Sequence, residues 1–218
     1  MTRLLHISAS ARGESSFSRQ AAQRLLAQVA RQHPALAVSE RDLGLAPPPH
    51  PPAALVEASL MPAAQRGAAE TAALAQSEAW SAELEAADVV LISTPMHNFT
   101  VPSALKAWID HVVRIDRTFR STPGGKIGLL ADRPVWLLLA CGGPLGDGPA
   151  AQRDFLTPYL RYVLACTGIG LARFEALRLD QLRRGSEHVA QGMARVDAWA
   201  GHLARQLHGA GADRGRGV

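Results

Sequence analysis

Between Asp88 and Asp110 the chain writes a strand end, a turn and a helix start in immediate succession, and few folds accommodate that order. Asp88-Val-Val-Leu-Ile-Ser-Thr94 is short, apolar and β-branched, and Pro95 stops it, as expected of a fully buried parallel strand. Met96-His-Asn-Phe99 follows as a short polar loop. Pro102 falls where a first helical turn tolerates a missing N–H, with Thr100 as the expected N-cap and a helix to about Val113. Chain between a strand's C-terminal end and the next helix is where open α/β sheets hold ligands, because the free N–H groups there face an electron-rich acceptor.

The same alternation recurs on both sides of this segment. Leu4-Leu-His-Ile7 reads as a first strand, Ser8 to Ser18 as a loop of small residues, and Arg19 to about Gln32 as an Ala/Leu/Val helix stopped by His33-Pro34. Leu36 to Leu43 reads as a second strand, Ala46 to Pro52 as a stiff polyproline loop, and Ala63 to Leu84 as a long helix. Beyond a glycine hinge at Thr122-Pro-Gly-Gly-Lys126, Val135 to Ala140 is a fourth strand leading into Cys141-Gly-Gly-Pro144. Phe155 to Thr167 is helical, Gly168 to Leu179 holds a fifth strand, and Gln181 to Leu207 closes the chain as a helix.

Strands alternating with helices require right-handed crossovers, so the predicted class is α/β with a doubly wound, five-stranded parallel sheet. In the order 2-1-3-4-5 the loops after strands one, three and four meet at one topological switch point. A length of 218 residues suits a single domain, expected over 1–208, with 209–218 as a flexible, arginine-bearing tail.

Charge and cysteine content narrow the function. The net charge of +4 comes from arginines scattered along helices or gathered at the terminus, with no basic stripe interleaved with aromatics, which argues against nucleic acid. Cys141 and Cys166 are too few for a disulfide scaffold, Met1 to Ile7 lacks a leader's apolar core, and no stretch is long enough to span a bilayer. A cytoplasmic protein without membrane contact is expected. His6 and His111 lack cysteines at ligand spacing, so no metal site is expected.

Each of the three converging loops has its own chemistry. Ser10, Ser15, Ser16 and Ser18 precede a helix, where hydroxyls and uncapped N–H groups suit a phosphate monoester; one capping serine alone would be the plainer explanation. No Gly-Lys-Ser/Thr ending makes this a Walker loop, and Gly13 stands alone. Gly142-Gly143 lets backbone approach a flat ring, or simply turns the chain. His97 is the candidate proton donor of the central loop, although a loop histidine more often serves hydrogen bonding or packing. Cys141 has no evident base partner and is not expected to act as a nucleophile.

Taken in order, Ser10 with Ser16-Phe-Ser18, Arg41-Asp-Leu43, Pro95-Met-His-Asn-Phe99, Pro102 with Leu105-Lys106, Thr118-Phe-Arg120, Gly142-Gly143, Asp147-Gly-Pro149 and Thr157-Pro-Tyr-Leu160 resemble the FMN-dependent NADH azoreductases and NAD(P)H:quinone oxidoreductases of flavodoxin-like fold. The likeness spans roughly Leu4 to Leu207. It implies FMN as bound cofactor, NADH or NADPH as donor, and a quinone or azo compound as acceptor. By the same resemblance Ser10 and Ser16, Phe17 and Ser18 hold the FMN phosphate, Pro95, Met96, His97, Asn98 and Phe99 line the isoalloxazine, and Ala140, Cys141, Gly142 and Gly143 meet its far edge. His97, Phe119 and Cys166 fall at acceptor-pocket positions, and a homodimer with shared sites is implied.

The chain departs from the family pattern at His97 and Ser121, where tyrosine is common, at Cys166, where phenylalanine is, and at Ala140-Cys141, where Ser-Arg is usual. A flavodoxin-type electron carrier, an FMN reductase treating flavin as substrate, and a flavin-free regulatory protein are the rival readings. Carriers of that type are usually strongly acidic, unlike this chain.

Overall fold

The computed structural model describes residues 1–213, with side chains through 207. Five parallel strands form one sheet: β1 (Arg3–Ser8), β2 (Ala37–Asp42), β3 (Val89–Pro95), β6 (Val135–Ala140) and β7 (Phe174–Leu179), in the order β2-β1-β3-β6-β7. Counting sheet strands alone, this is the expected 2-1-3-4-5. The labels β4 (Phe119–Thr122) and β5 (Gly125–Gly128) belong to a separate antiparallel hairpin, where the sequence suggested a glycine hinge. The Pro-Gly-Gly run there serves as the hairpin's turn, with Gly125 at a φ of 115°.

Side-chain alternation along the strands divides the core into two layers. Leu5, Ile7, Val90, Ile92, Leu137 and Leu139 face one side, where they meet Trp80 and Leu84 of α3 (Ala68–Ala86), Trp108 and Ile109 of α4 (Ser103–Val112) and Leu160 and Leu164 of α5 (Leu156–Ala165). Leu4, Val89, Leu91, Trp136 and Leu138 face the other, against Leu25 and Val29 of α1 (Phe17–Gln32) and Val196, Ala200 and Leu203 of α6 (Ser186–Asp213). Helices on both faces leave only the strand ends for a ligand.

The helix expected from Ala63 to Leu84 opens instead with a 3-10 turn at Ala63–Gln65 and runs regularly only as α3, and a further helix that was not expected, α2 (Ala53–Leu60), precedes it. Pro62 and Gly67 bound the 3-10 turn, and Arg66 ties it to α2 through Nε to the Ala58 and Met61 carbonyls at 3.0 Å each. At the other end, α6 continues to Asp213, so 209–213 of the expected tail are helical and 214–218 lie outside the described residues. Among the described residues no helix is long and apolar enough to cross a membrane.

Candidate functional site

The loops after β1, β3 and β6 meet around one cavity of about 460 Å³ at the C-terminal ends of the strands. It is lined by Ser10, Ser16, Phe17 and Ser18, by Pro95 to Phe99, and by Ala140 to Gly143. Every cofactor-binding position expected from the sequence therefore lies on one surface. That volume falls inside the range of about 300–1,000 Å³ typical of small-molecule sites.

At the β1 end the local fold gathers hydroxyls and open helical amides on one wall. Ser16 caps α1, its Oγ accepting from the Arg19 amide at 3.3 Å, and Ser18 Oγ lies 3.0 Å from Ser16 Oγ. The amides of Phe17 and Ser18, in the first turn, have no intrahelical carbonyl to bond. Ser10 accepts the Arg12 amide at 3.4 Å, and all three hydroxyl-bearing residues are buried. Two supports hold this cluster in place. Gly44 sits so close that a Cβ there would stand 2.0 Å from the Ser10 carbonyl oxygen, and Asp42 accepts the Gly44 and Leu45 amides while pairing with Arg19 at 2.5 Å. Desolvation would push the Asp42 carboxyl up, but the Arg19 guanidinium and the two amides outweigh it and hold its pKa below the usual range.

The central loop turns more tightly than its sequence suggested. His97 and Thr100 exchange both backbone hydrogen bonds at 3.0 Å, closing a two-residue turn in which Asn98 and Phe99 take φ values of 47° and 70°. Thr100 is thus occupied in this turn, and α4 starts from Pro102 with no side-chain cap. Left-handed backbone is easy for asparagine and unfavourable for a ring-bearing residue such as phenylalanine. The turn projects His97 and Phe99 outward, Phe99 being 51% exposed, and the Phe99 carbonyl accepts the Phe155 amide at 3.3 Å.

The third wall is backbone. Met96 N–H bonds the Ala140 carbonyl at 2.9 Å, joining the second and third loops. A Cβ on Gly142 would meet Arg183 Cδ at 3.0 Å, and one on Gly143 would meet Gln152 Nε2 at 3.1 Å. Cys141 Sγ lies 3.3 Å from Gln152 Oε1, and burial pushes its thiol pKa up, so it is poorly suited to be a thiolate.

Phe119 and Cys166, expected in the acceptor pocket, do not line this cavity within one chain. Phe119 lies in the β4–β5 hairpin under Lys126, whose Nζ is 3.9 Å from its ring centroid, and Cys166 caps the C-terminus of α5. Both belong to elements packed beside the sheet, away from the switch point. Arg12, Gln152, Leu182 and Arg183 do line the cavity and were not anticipated. Arg12 stood within the serine loop and could have been included; the other three reach the site through contacts invisible to local spacing. Among the described residues no group of three or more His, Cys, Asp or Glu side chains could hold a metal ion.

Comparison with known proteins places this geometry in context. The flavodoxin-like fold family matches residues 2–203. An "FMN-dependent NADH:quinone oxidoreductase 2" of Cupriavidus pinatubonensis is 59% identical over 94% of this chain and 98% of its own length. A counterpart from Burkholderia lata, "FMN-dependent NADH:quinone oxidoreductase 5", is 46% identical over 94% of each. Among solved structures, an azoreductase from Bacillus anthracis superposes with a TM-score of 0.82 at 25% identity, over 94% of this chain and 100% of that one. By sequence and by fold, the chain belongs to the flavodoxin-like family of FMN-dependent NADH:quinone oxidoreductases and azoreductases.

Proposed function

We propose that this chain binds FMN across the C-terminal edge of its sheet and uses NADH or NADPH to reduce quinones or azo compounds, as an FMN-dependent NADH:quinone oxidoreductase. One observation carries the reading: a single cavity joins a hydroxyl-rich helix start to a side-chain-free glycine wall. FMN has a phosphate for the first and a flat ring for the second, so the residues present fit it.

When bound, the flavin supplies the redox chemistry, relaying a hydride from the nicotinamide to the acceptor. The chain's own groups bind and orient. Ser10, Ser16 and Ser18, with the open amides of α1, hold the phosphate. Asn98 and Phe99 are fixed by their turn so that the loop edge presents polar atoms and an aromatic face in a set geometry. Gly142 and Gly143 offer bare backbone to the ring edge and leave room for the Arg183 and Gln152 side chains, which a Cβ would meet at 3.0 and 3.1 Å. His97, on the exposed rim, shapes the acceptor's entry and supplies no obligatory proton, since water can protonate the product. Cys141, kept protonated by burial, is a wall and not a nucleophile.

The working form is a homodimer in the cytoplasm. The exposed Phe99 and Phe155, at 51% and 55% and joined by a backbone hydrogen bond, offer apolar surface at the open rim for a second copy to cover. Sedimentation of the flavin-loaded protein should give twice the chain mass. A fully active monomer would overturn the shared site.

An absorbance spectrum followed by anaerobic NADH and NADPH tests cofactor and reaction together. Flavin colour that bleaches on donor addition and returns with a quinone is expected. Colourless protein that takes up no FMN refutes the reading, and bound flavin that no nicotinamide bleaches points to an electron carrier.

A further inference from the structure

The β7–α6 connection also touches the cavity, and its chemistry differs from that of the other three loops. Gln181, Leu182 and Arg183 donate their amides to Gly143, Cys141 and Gly142 at 3.0, 3.2 and 3.3 Å, so this segment is zipped onto the glycine wall. The Arg183 side chain folds back along that wall: Cδ, Cγ and Nε lie 3.0, 3.2 and 3.4 Å from where a Gly142 Cβ would stand. A guanidinium is thus stationed beside the loop that meets the ring edge.

Its charge has no internal partner. Arg19, Arg41, Arg114 and Arg117 are all ion-paired, whereas Arg183 and Arg12, like several other arginines of the described residues, are exposed and have no carboxylate within salt-bridge distance; what sets these two apart is their position. Both line the cavity. They do so at opposite ends, because β1 and β7 are separated by three strand-to-strand steps, about 14 Å. With Arg12 beside the serine cluster, Arg183 is left facing the part of the ligand that does not carry the phosphate.

A hydride brings two electrons and one proton, so a neutral oxidised ring becomes a monoanion without taking a proton from water. The acceptor later removes the same hydride, collects one further proton from solvent, and returns the ring to neutrality. The site's charge requirement therefore changes by one unit during turnover, on the ring and not on the phosphate. We propose that Arg183 sets the redox poise of the site by holding the reduced, anionic flavin more tightly than the oxidised, neutral one. This rests on the function proposed above.

The test is the midpoint potential of the FMN-loaded protein, by dye-linked titration, together with the dissociation constant for oxidised FMN. Arg183→Gln should weaken reduced FMN about tenfold relative to oxidised FMN, lowering the two-electron potential by about 30 mV. Arg183→Lys should restore most of the difference, and added salt should shrink it. Arg12→Gln should weaken both redox forms alike and leave the potential in place. Arg184→Gln is the control, since that side chain bonds Gln181 Oε1 at 3.1 Å and does not line the cavity. An unchanged potential in Arg183→Gln, on protein that binds FMN and is bleached by NADH, overturns this proposal alone. Wild-type protein that fails to take up FMN overturns it together with the proposed function.

Discussion

Removing the Ser18 hydroxyl should separate phosphate binding from flavin binding. Ser18 is buried, its Oγ lies 3.0 Å from Ser16 Oγ, and it does not cap the helix, so Ser18→Ala deletes one donor from the anion site with little cost to α1. A hydrogen bond to a charged group contributes about 1.5–3 kcal/mol. At about 1.4 kcal/mol per tenfold, the FMN dissociation constant should rise roughly 10- to 150-fold. Riboflavin, which lacks the phosphate, should bind the variant almost as it binds the wild type. Ser16→Ala provides the internal comparison, because Ser16 also accepts the Arg19 amide as N-cap. It should lose FMN affinity similarly and in addition about 1 kcal/mol of stability, seen as a melting temperature lower by about 2–4 °C for a chain of this size. Flavin fluorescence titrations with both ligands, and calorimetry without flavin, give the required numbers. If riboflavin weakens as much as FMN in Ser18→Ala, the hydroxyl does not face a phosphate and the orientation of the ligand is wrong.

Gly44→Ala would drive a Cβ to 2.0 Å from the Ser10 carbonyl oxygen, so urea unfolding should show a loss at or above the upper end of the about 1–3 kcal/mol typical of overpacking, with weaker FMN binding besides; a variant as stable as wild type would mean that the two turns are not in firm contact. His97→Phe should keep flavin and the NADH half-reaction and change mainly the acceptor KM. A fall of about 10²–10⁴-fold in the acceptor half-reaction would make His97 a catalytic acid instead. His6 supplies a pH prediction. Burial, reinforced by the Arg19 charge, lowers its folded pKa to about 4, so the unfolded chain takes up the proton more readily. Its contribution is complete above about pH 6.5 and declines by about 3 kcal/mol as pH falls toward 4. His6→Asn should flatten that part of the stability profile, and an unaltered slope in urea titrations between pH 7 and 4 would contradict the assignment.

The strands of the sheet were legible because each of β1, β3 and β6 is short, apolar and punctuated, and buried parallel strands need no partner-specific signal. The cavity followed from the strand order, which brings three loops together whatever their details. What escaped was set by contacts distant in sequence or by backbone geometry. Arg183 reaches the wall because β7 lies beside β6, and Gln152 because its loop folds back so that Gln152 N–H bonds the Pro144 carbonyl at 2.9 Å. Thr100 resembled a cap by position, yet pairing with His97 won, since two backbone hydrogen bonds outweigh one side-chain cap. The hairpin β4–β5 was hidden because Thr122-Pro-Gly-Gly-Lys126 contains turn residues whether or not the flanking chains pair.

The left-handed turn at Asn98 and Phe99 also bears on how this chain could be engineered. Neither residue is glycine, and holding such backbone costs of order 1–3 kcal/mol at each unfavourable position. A search for heat-resistant variants would therefore find glycine at position 99 early, because it relaxes the strain without disturbing the core. The same change would erase the aromatic face on the cavity rim and loosen the segment that carries His97. Durability and turnover are opposed at this one peptide unit, and selection for the first alone should yield a hardier protein with a blunted appetite for its substrates.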